Sequence, residues 1–234
     1  MSNKTLRIIH REDLPVGGFA GIVETHMAKS PLVWNEAAQR QDISHGLGDF
    51  IYLASGHFKP NDGAPIHPHN DVDIVSVILN GAVGHKGTLG DGTVIEGPGV
   101  QVQRAGTGMQ HAEFNMNDTD SEIIQIWFLP PAIGLKPEYQ NFTLKDGELT
   151  TVLGGQDDQT FHSNMTVQVG FISKGYTVSA DQPFVAMITR GSALANDTPV
   201  KAGDLIEGEV LELYSDEDFG LVLIQGSKQF QQSI

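Results

Sequence analysis

The chain has 234 residues, 27 of them glycine and 11 proline, and no cysteine. That length suits one large or two small β-rich domains. The missing thiols exclude disulfides, zinc–thiolate sites, iron–sulfur clusters and cysteine nucleophiles. The formal net charge of −15, from 14 Lys and Arg against 29 Asp and Glu, argues against nucleic-acid binding, which calls for a basic footprint. No basic start runs into an apolar stretch, and no segment reaches membrane-spanning length. A cytoplasmic protein without membrane contact is therefore expected.

The first forty or so residues read as irregular, with a candidate strand over 21–27 and a loop or short helix over 31–41. A strand follows over 49–58, closed by the turn Asn61-Asp62-Gly63. After His67-Pro68-His69 comes a β-branched run over 72–79 that stops at Asn80-Gly81, a strong hairpin signal. The return strand is 82–88. Gly97-Pro98-Gly99 precedes a strand over 100–104, and Gly106-Thr107-Gly108 leads into another over 111–115. A strand over 121–129 ends at Pro130-Pro131, and 130–137 reads as a linker.

The second half echoes the first. Ile188-Thr189-Arg190-Gly191 matches Ile78-Leu79-Asn80-Gly81, Lys201 to Asp204 matches Gly97 to Val100, and Gly220 to Gln225 matches Ile123 to Phe128. The repeat predicts two tandem all-β barrels, residues 1–135 and 136–234. Aligned through Gly81 and Gly191, His67 and His69 fall opposite Thr177 and Ser179. Only the first barrel then has histidine pairs.

Residues two apart on a strand share a face. His67 and His69 form one such pair, and His111 and Glu113 another. Facing each other across a small barrel, they would offer three imidazoles and one carboxylate to one first-row transition metal, with positions left for substrate and dioxygen. The plainer alternative is four unrelated polar residues on exposed strand faces. Asp73, four residues after His69, is expected to share the histidines' face as an acceptor for an imidazole N–H, with a fifth ligand or a surface aspartate as alternatives. His85 reads as a barrel-surface histidine, and His10, His26, His45, His57 and His162 as structural. Met109, Phe114, Ile126 and Phe128 would line the pocket mouth or belong to ordinary core, and Trp127 is open between core and a substrate stack.

Together these motifs resemble the pirin family of bicupins. The resemblance lies in His67-Pro68-His69, the strand ending Leu79-Asn80-Gly81, Gly97-Pro98-Gly99, and Gly108 followed by His111-Ala112-Glu113. Phe19-Ala20-Gly21-Ile22 and Gln125-Ile126-Trp127 are also similar to the family. It covers residues 15–135 at motif level and extends in outline to the end. It implies two cupin-type jelly-roll barrels, with a metal in the first held by His67, His69, His111 and Glu113. Iron is the usual ion in the family; nickel, manganese, cobalt, copper and zinc suit the same ligands. Where the family often reads Arg-Gly-Phe-Glu after the second histidine, this chain has Asn70-Asp71-Val72-Asp73. The substrate pocket is therefore expected to differ from that of the best-known members.

The resemblance implies a dioxygenase that opens a flavonol such as quercetin, and Glu113, as the only ionisable acid in the predicted shell, is the candidate to take the proton. Its rival is a non-enzymatic metal-binding regulator acting through a protein partner. A sugar or keto-acid enzyme would need cations, and Lys86 and Arg104 are the few near the motifs.

Overall fold

The computed structural model describes residues 5–156 and 159–226. Within them no helix is long and apolar enough to cross a membrane. The candidate helix over 31–41 is a single 3-10 turn, Asn35–Gln39. The architecture is all-β, two jelly-roll barrels in tandem.

After β1 (Arg7–His10), the first barrel takes β2 (Val16–Phe19), β3 (Ile22–Lys29), β4 (Phe50–Phe58), β5 (Gly63–His69), β6 (Asp73–Ile78), β7 (Ala82–Gly87), β8 (Val94–Glu96), β9 (Gly99–Arg104), β10 (Met109–Asn115), β11 (Ser121–Phe128) and β12 (Glu138–Thr143). The second takes β13 (Leu149–Leu153), β14 (Met165–Ile172), β15 (Thr177–Ala180), β16 (Phe184–Arg190), β17 (Ser192–Ala195), β18 (Thr198–Lys201), β19 (Asp204–Gly208), β20 (Leu211–Tyr214) and β21 (Phe219–Gly226).

Each barrel pairs a large sheet with a small one. The small sheets run β5-β10-β7-β8 and β15-β20-β17-β18, the same order twice. The large sheets run β12-β9-β6-β11-β4-β3-β2 and β1-β19-β16-β21-β14-β13. In them β12 flanks β9 and β1 flanks β19, so each edge strand comes from beyond the linker at 130–137. The strands thus cross the division read at residue 135.

The central strands of the large sheets are buried on both faces. Alternate residues Val75 and Val77, Val100 and Val102, and Ile124 and Ile126 pack in one core with Val185, Met187, Val222 and Ile224 of the other barrel. Their neighbours Phe184, Ala186, Ile188, Leu221 and Leu223 fill the second barrel. This two-sided burial explains the continuous apolar runs, which lack the alternation of a half-exposed strand.

The interior of the first barrel differs. One end holds Phe58, Ile78, Val83, Ile95 and Ile123. Next to it, Ser76 pairs with Gln101 on β9 and with Gln125 on β11. Counted from Gly191 as from Gly81, the same places in the second barrel are Ala186, Ile206 and Leu223. The barrels therefore share a register but not an interior chemistry. This pairing also moves two of the sequence echoes by one residue. Gln125 matches Leu223, because Ala186 faces Leu223, and Gly99 matches Asp204 when the β16–β19 register is carried one step beyond Met187 and Leu205.

Candidate metal centre

His67 and His69 lie on β5, and His111 and Glu113 on β10. These are hydrogen-bonded neighbours in one small sheet, with His111 opposite His67 and Met109 opposite His69. The pairs therefore sit side by side on one wall, whereas the parity argument had them facing across the barrel. Parity fixes which residues share a face but not which strands are adjacent. The register shifts between His111 and Glu113, so that Glu113 is level with Ala64. The extra residue in β5 leaves Pro65 and Ile66 exposed while Ala64 is buried and the two histidines half-buried. It also places the Pro65 carbonyl to accept from His67 Nδ1 at 2.7 Å. That bond puts the proton on Nδ1 and leaves Nε2 bare.

His67, His69 and His111 each bring a ring nitrogen within 4.8 Å of the others. The Nε2 atoms of His67 and His111 are 3.1 Å apart. Two ligands ~2.1 Å from one ion and at right angles to it lie about 3.0 Å apart, so the spacing fits adjacent positions on a divalent metal. Burial, then the nearby His67, lowers the His69 pKa to about 4. Burial and the surrounding imidazoles lower that of His111 to about 2. Neutral rings with lone pairs turned together are the form a metal takes.

Glu113 is not in that triad. It is 1% exposed and accepts from the side-chain amides of Gln101 and, at 3.2 Å, of Gln125. Tyr139 donates to the other end of Gln101 at 3.0 Å. Burial raises the Glu113 pKa to about 7 against the two amides, which pull it down. Gln101 and Tyr139 are candidate site residues that sequence reasoning missed, and Gln125 was noted there only as part of the family-like segment Gln125-Ile126-Trp127. The available signal was the strand Gly99-Val-Gln-Val-Gln-Arg104, whose polar parity is out of place in a sheet covered on both sides.

Two further expectations change. Asp73 is fully buried but makes no contact with the histidines; its carboxylate takes both the Nε (2.9 Å) and Nη2 (2.6 Å) of Arg104. Arg104 also donates to the His162 carbonyl at 2.7 Å. Asp73 shares the parity of Val75 and Val77, which face the second barrel, because β6 belongs to the large sheet and β5 to the small one. Arg104 is thereby tied up between the barrels and unavailable to a substrate. His85 is 1% exposed rather than on the surface. Its ring lies 5.2 Å from that of His111 and 5.1 Å from that of Tyr139.

The residues proposed for the pocket mouth separate. Ile126 and Phe128 belong to the core between the barrels, and Phe114 points outward. Met109 is buried beside Trp127. Trp127 meets His69 edge-on at 5.4 Å and Tyr52 at 4.7 Å. Tyr52 and Trp127 both touch Trp34, giving an aromatic row that starts at the metal-site rim. Clefts of about 510 and 610 Å³ lie between the barrels and touch none of the three histidines. The other histidines have local roles. His10 pairs with Asp204, His26 with Glu24 and His57 with Asp120, and His45 bonds the Arg40 carbonyl.

A bicupin with an imidazole cluster confined to its first barrel is the class that fold and site define. The family model described as Pirin matches residues 25–128. Two bacterial relatives carry the name "Putative quercetin 2,3-dioxygenase". The one from Zymomonas mobilis is 29% identical over 180 residues, covering 70% of this chain and 77% of its own. The one from Mycobacterium bovis is 30% identical over 195 residues, covering 79% and 78%. In structure the chain is similar to the Escherichia coli bacterial pirin YhhW in complex with nickel(II), with a TM-score of 0.81, 17% identity and coverage of 95% and 99%. The chain belongs to the pirin family.

Proposed function

We propose that this chain is a metal-dependent dioxygenase that opens a flavonol such as quercetin, or a related enolic aromatic, with dioxygen. His67, His69 and His111 hold the ion, iron by preference, and Glu113 completes the ligand set. The ion, when bound, supplies a seat for the enolic oxygen and for dioxygen and lowers the pKa of the hydroxyl. The observation that carries the reading is Glu113. It is next but one in sequence to His111, almost wholly buried, and held by the amides of Gln101 and Gln125, a placement from which a carboxylate can take and return a proton. Gln101 and Gln125 fix the carboxylate, and Trp127 with Tyr52 places aromatic rings beside His69. The names of the two relatives support the reaction class, and the nickel(II) complex of YhhW supports a divalent ion.

The test is oxygen uptake on a panel of flavonols by protein shown to carry iron, nickel or manganese. Uptake is expected, and Glu113→Gln is expected to retain part of the metal but lose turnover. Absence of uptake with every flavonol would favour a second reading, a metal-bearing regulator acting through a protein partner. That reading draws on Ile66, 61% exposed next to His67, where a partner could sense the site. Undiminished turnover in Glu113→Gln would remove the base but leave the metal site standing.

A further inference from the structure

A second triad of ligand atoms lies deeper in the same barrel. His85, His111 and Glu113 bring one ring nitrogen or carboxylate oxygen each to within 4.8 Å of one another. His85 stands directly opposite Glu113 across the β7–β10 ladder. All three are almost wholly buried, at 1%, 0% and 1% exposure, whereas His67 and His69 of the outer triad are half-buried.

Three of the inner ring nitrogens lack a hydrogen-bond partner among the described residues. Neither ring nitrogen of His85 has a hydrogen bond among the described residues, and neither does His111 Nδ1. The Leu89 backbone and the Asp91 charge act on His85 against burial, which lowers its pKa, but Leu89 falls outside hydrogen-bond geometry. Buried polar atoms are nearly always partnered, and an exception points to something bound or to a chemical role. The Tyr139 ring closes one side of His85 and the His111 ring the other. Gln101 and Gln125 anchor Glu113 on this inner side. Two imidazoles and one carboxylate, with no thiolate, form a donor set for a first-row divalent ion. The second barrel cannot form a counterpart, because His162 is the only histidine in residues 136–234.

We propose that the barrel offers a divalent transition ion two alternative seats that share His111 and Glu113. The outer seat is His67, His69 and His111 with Glu113 as the fourth ligand; the inner seat is His85, His111 and Glu113. His85 is thereby a metal ligand, and the ion can be held away from the rim. The inference rests on reading this barrel as a metal centre, and the experiment separates the two ideas.

Metal-stripped protein is titrated with Co(II) against a competing chelator dye, with circular dichroism and thermal unfolding as folding controls. Wild type is expected to take up one Co(II) per chain. The double variant His67→Ala/His69→Ala should still take up one, more weakly, with a changed ligand-field spectrum. Adding His85→Ala should lower the remaining affinity more than about 100-fold, beyond the range produced by losing a group that merely orients a ligand. His85→Gln, which keeps more of the packing volume, should do the same and guards against a folding defect in the alanine variant. Folded double variant that takes up no Co(II) would overturn the inner seat alone. So would a fall of less than about 100-fold on replacing His85. No uptake by wild type would overturn the metal centre itself.

Discussion

Glu113 shows how one side chain is pulled two ways. Burial favours its neutral form, and the amides of Gln101 and Gln125 favour its charged form; burial prevails, with a pKa of about 7. An unfolded chain would release this proton near 4.5. Between these values the folded state holds the proton and the unfolded state does not, so stability falls as pH rises through the window. Below it both states are protonated and the effect vanishes. In metal-free protein, Glu113→Gln should therefore gain on wild type between pH 4.5 and 7, by on the order of 3 kcal/mol at most. Urea midpoints at pH 5 and pH 8 measure this, and equal differences at the two values would refute it. His69 and His111 work in the opposite sense. Their folded pKa values of about 4 and about 2 lie below the ordinary 6.5. The unfolded chain therefore binds protons that the fold excludes, and stability drops as pH falls below 6.5. His69→Asn and His111→Asn should each flatten that drop in metal-free protein, followed by the same urea titrations. His111 serves both triads, so His111→Ala should also lose most of the bound metal. Full stoichiometry under a chelator would show that it is not a ligand.

Among the elements, β6 and β9 carry the clearest division of labour. Their residues alternate between a polar barrel interior (Ser76, Gln101, Gln103) and the core between barrels (Val75, Val77, Val100, Val102). Asp73 and Arg104 end the inter-barrel series as a buried bidentate pair, and Arg104 extends to the His162 carbonyl. Removing one member strands a buried charge, whereas replacing both with apolar side chains need not. Asp73→Ala should cost about 3–5 kcal/mol in chemical denaturation. The double variant Asp73→Leu/Arg104→Met should recover most of it. A cost below 1 kcal/mol in Asp73→Ala would mean that the pair does not clamp the barrels.

Taken whole, the molecule's largest core lies between the barrels rather than inside either. Each large sheet also borrows an edge strand, β12 for the first and β1 for the second. Cutting at residue 135 would strip both strands and expose a large apolar face on each half. Residues 1–135 and 136–234 made separately should bind a hydrophobic dye and give poorly dispersed amide spectra. The intact chain should unfold in a single cooperative transition. Two well-folded fragments would show that the shared core is dispensable.

Strand positions over residues 49–129 and the ligand-type residues were legible in the sequence because both depend on local rules, whereas β1 (Arg7–His10) and β2 (Val16–Phe19) fall where the sequence reads as irregular. Turns at Asn80-Gly81 and Gly97-Pro98-Gly99 bound the β-branched runs, and period two puts His67 with His69 and His111 with Glu113 on common faces. The repeat of those turns also revealed two barrels. Local rules stop where strands choose neighbours. In sheets covered on both sides, only a few polar residues such as Gln101 and Gln103 mark which parity faces the barrel, and strand parity counted from His69 puts Asp73 on the histidines' face although it begins a strand of the other sheet. Adjacency of β5, β10 and β7, set by long-range pairing, made His67 a direct neighbour of His111 and buried His85 beside it. The reciprocal exchange of β1 and β12, and the ring of glutamines that holds Glu113, were likewise decided only by tertiary structure, because each joins residues far apart along the chain.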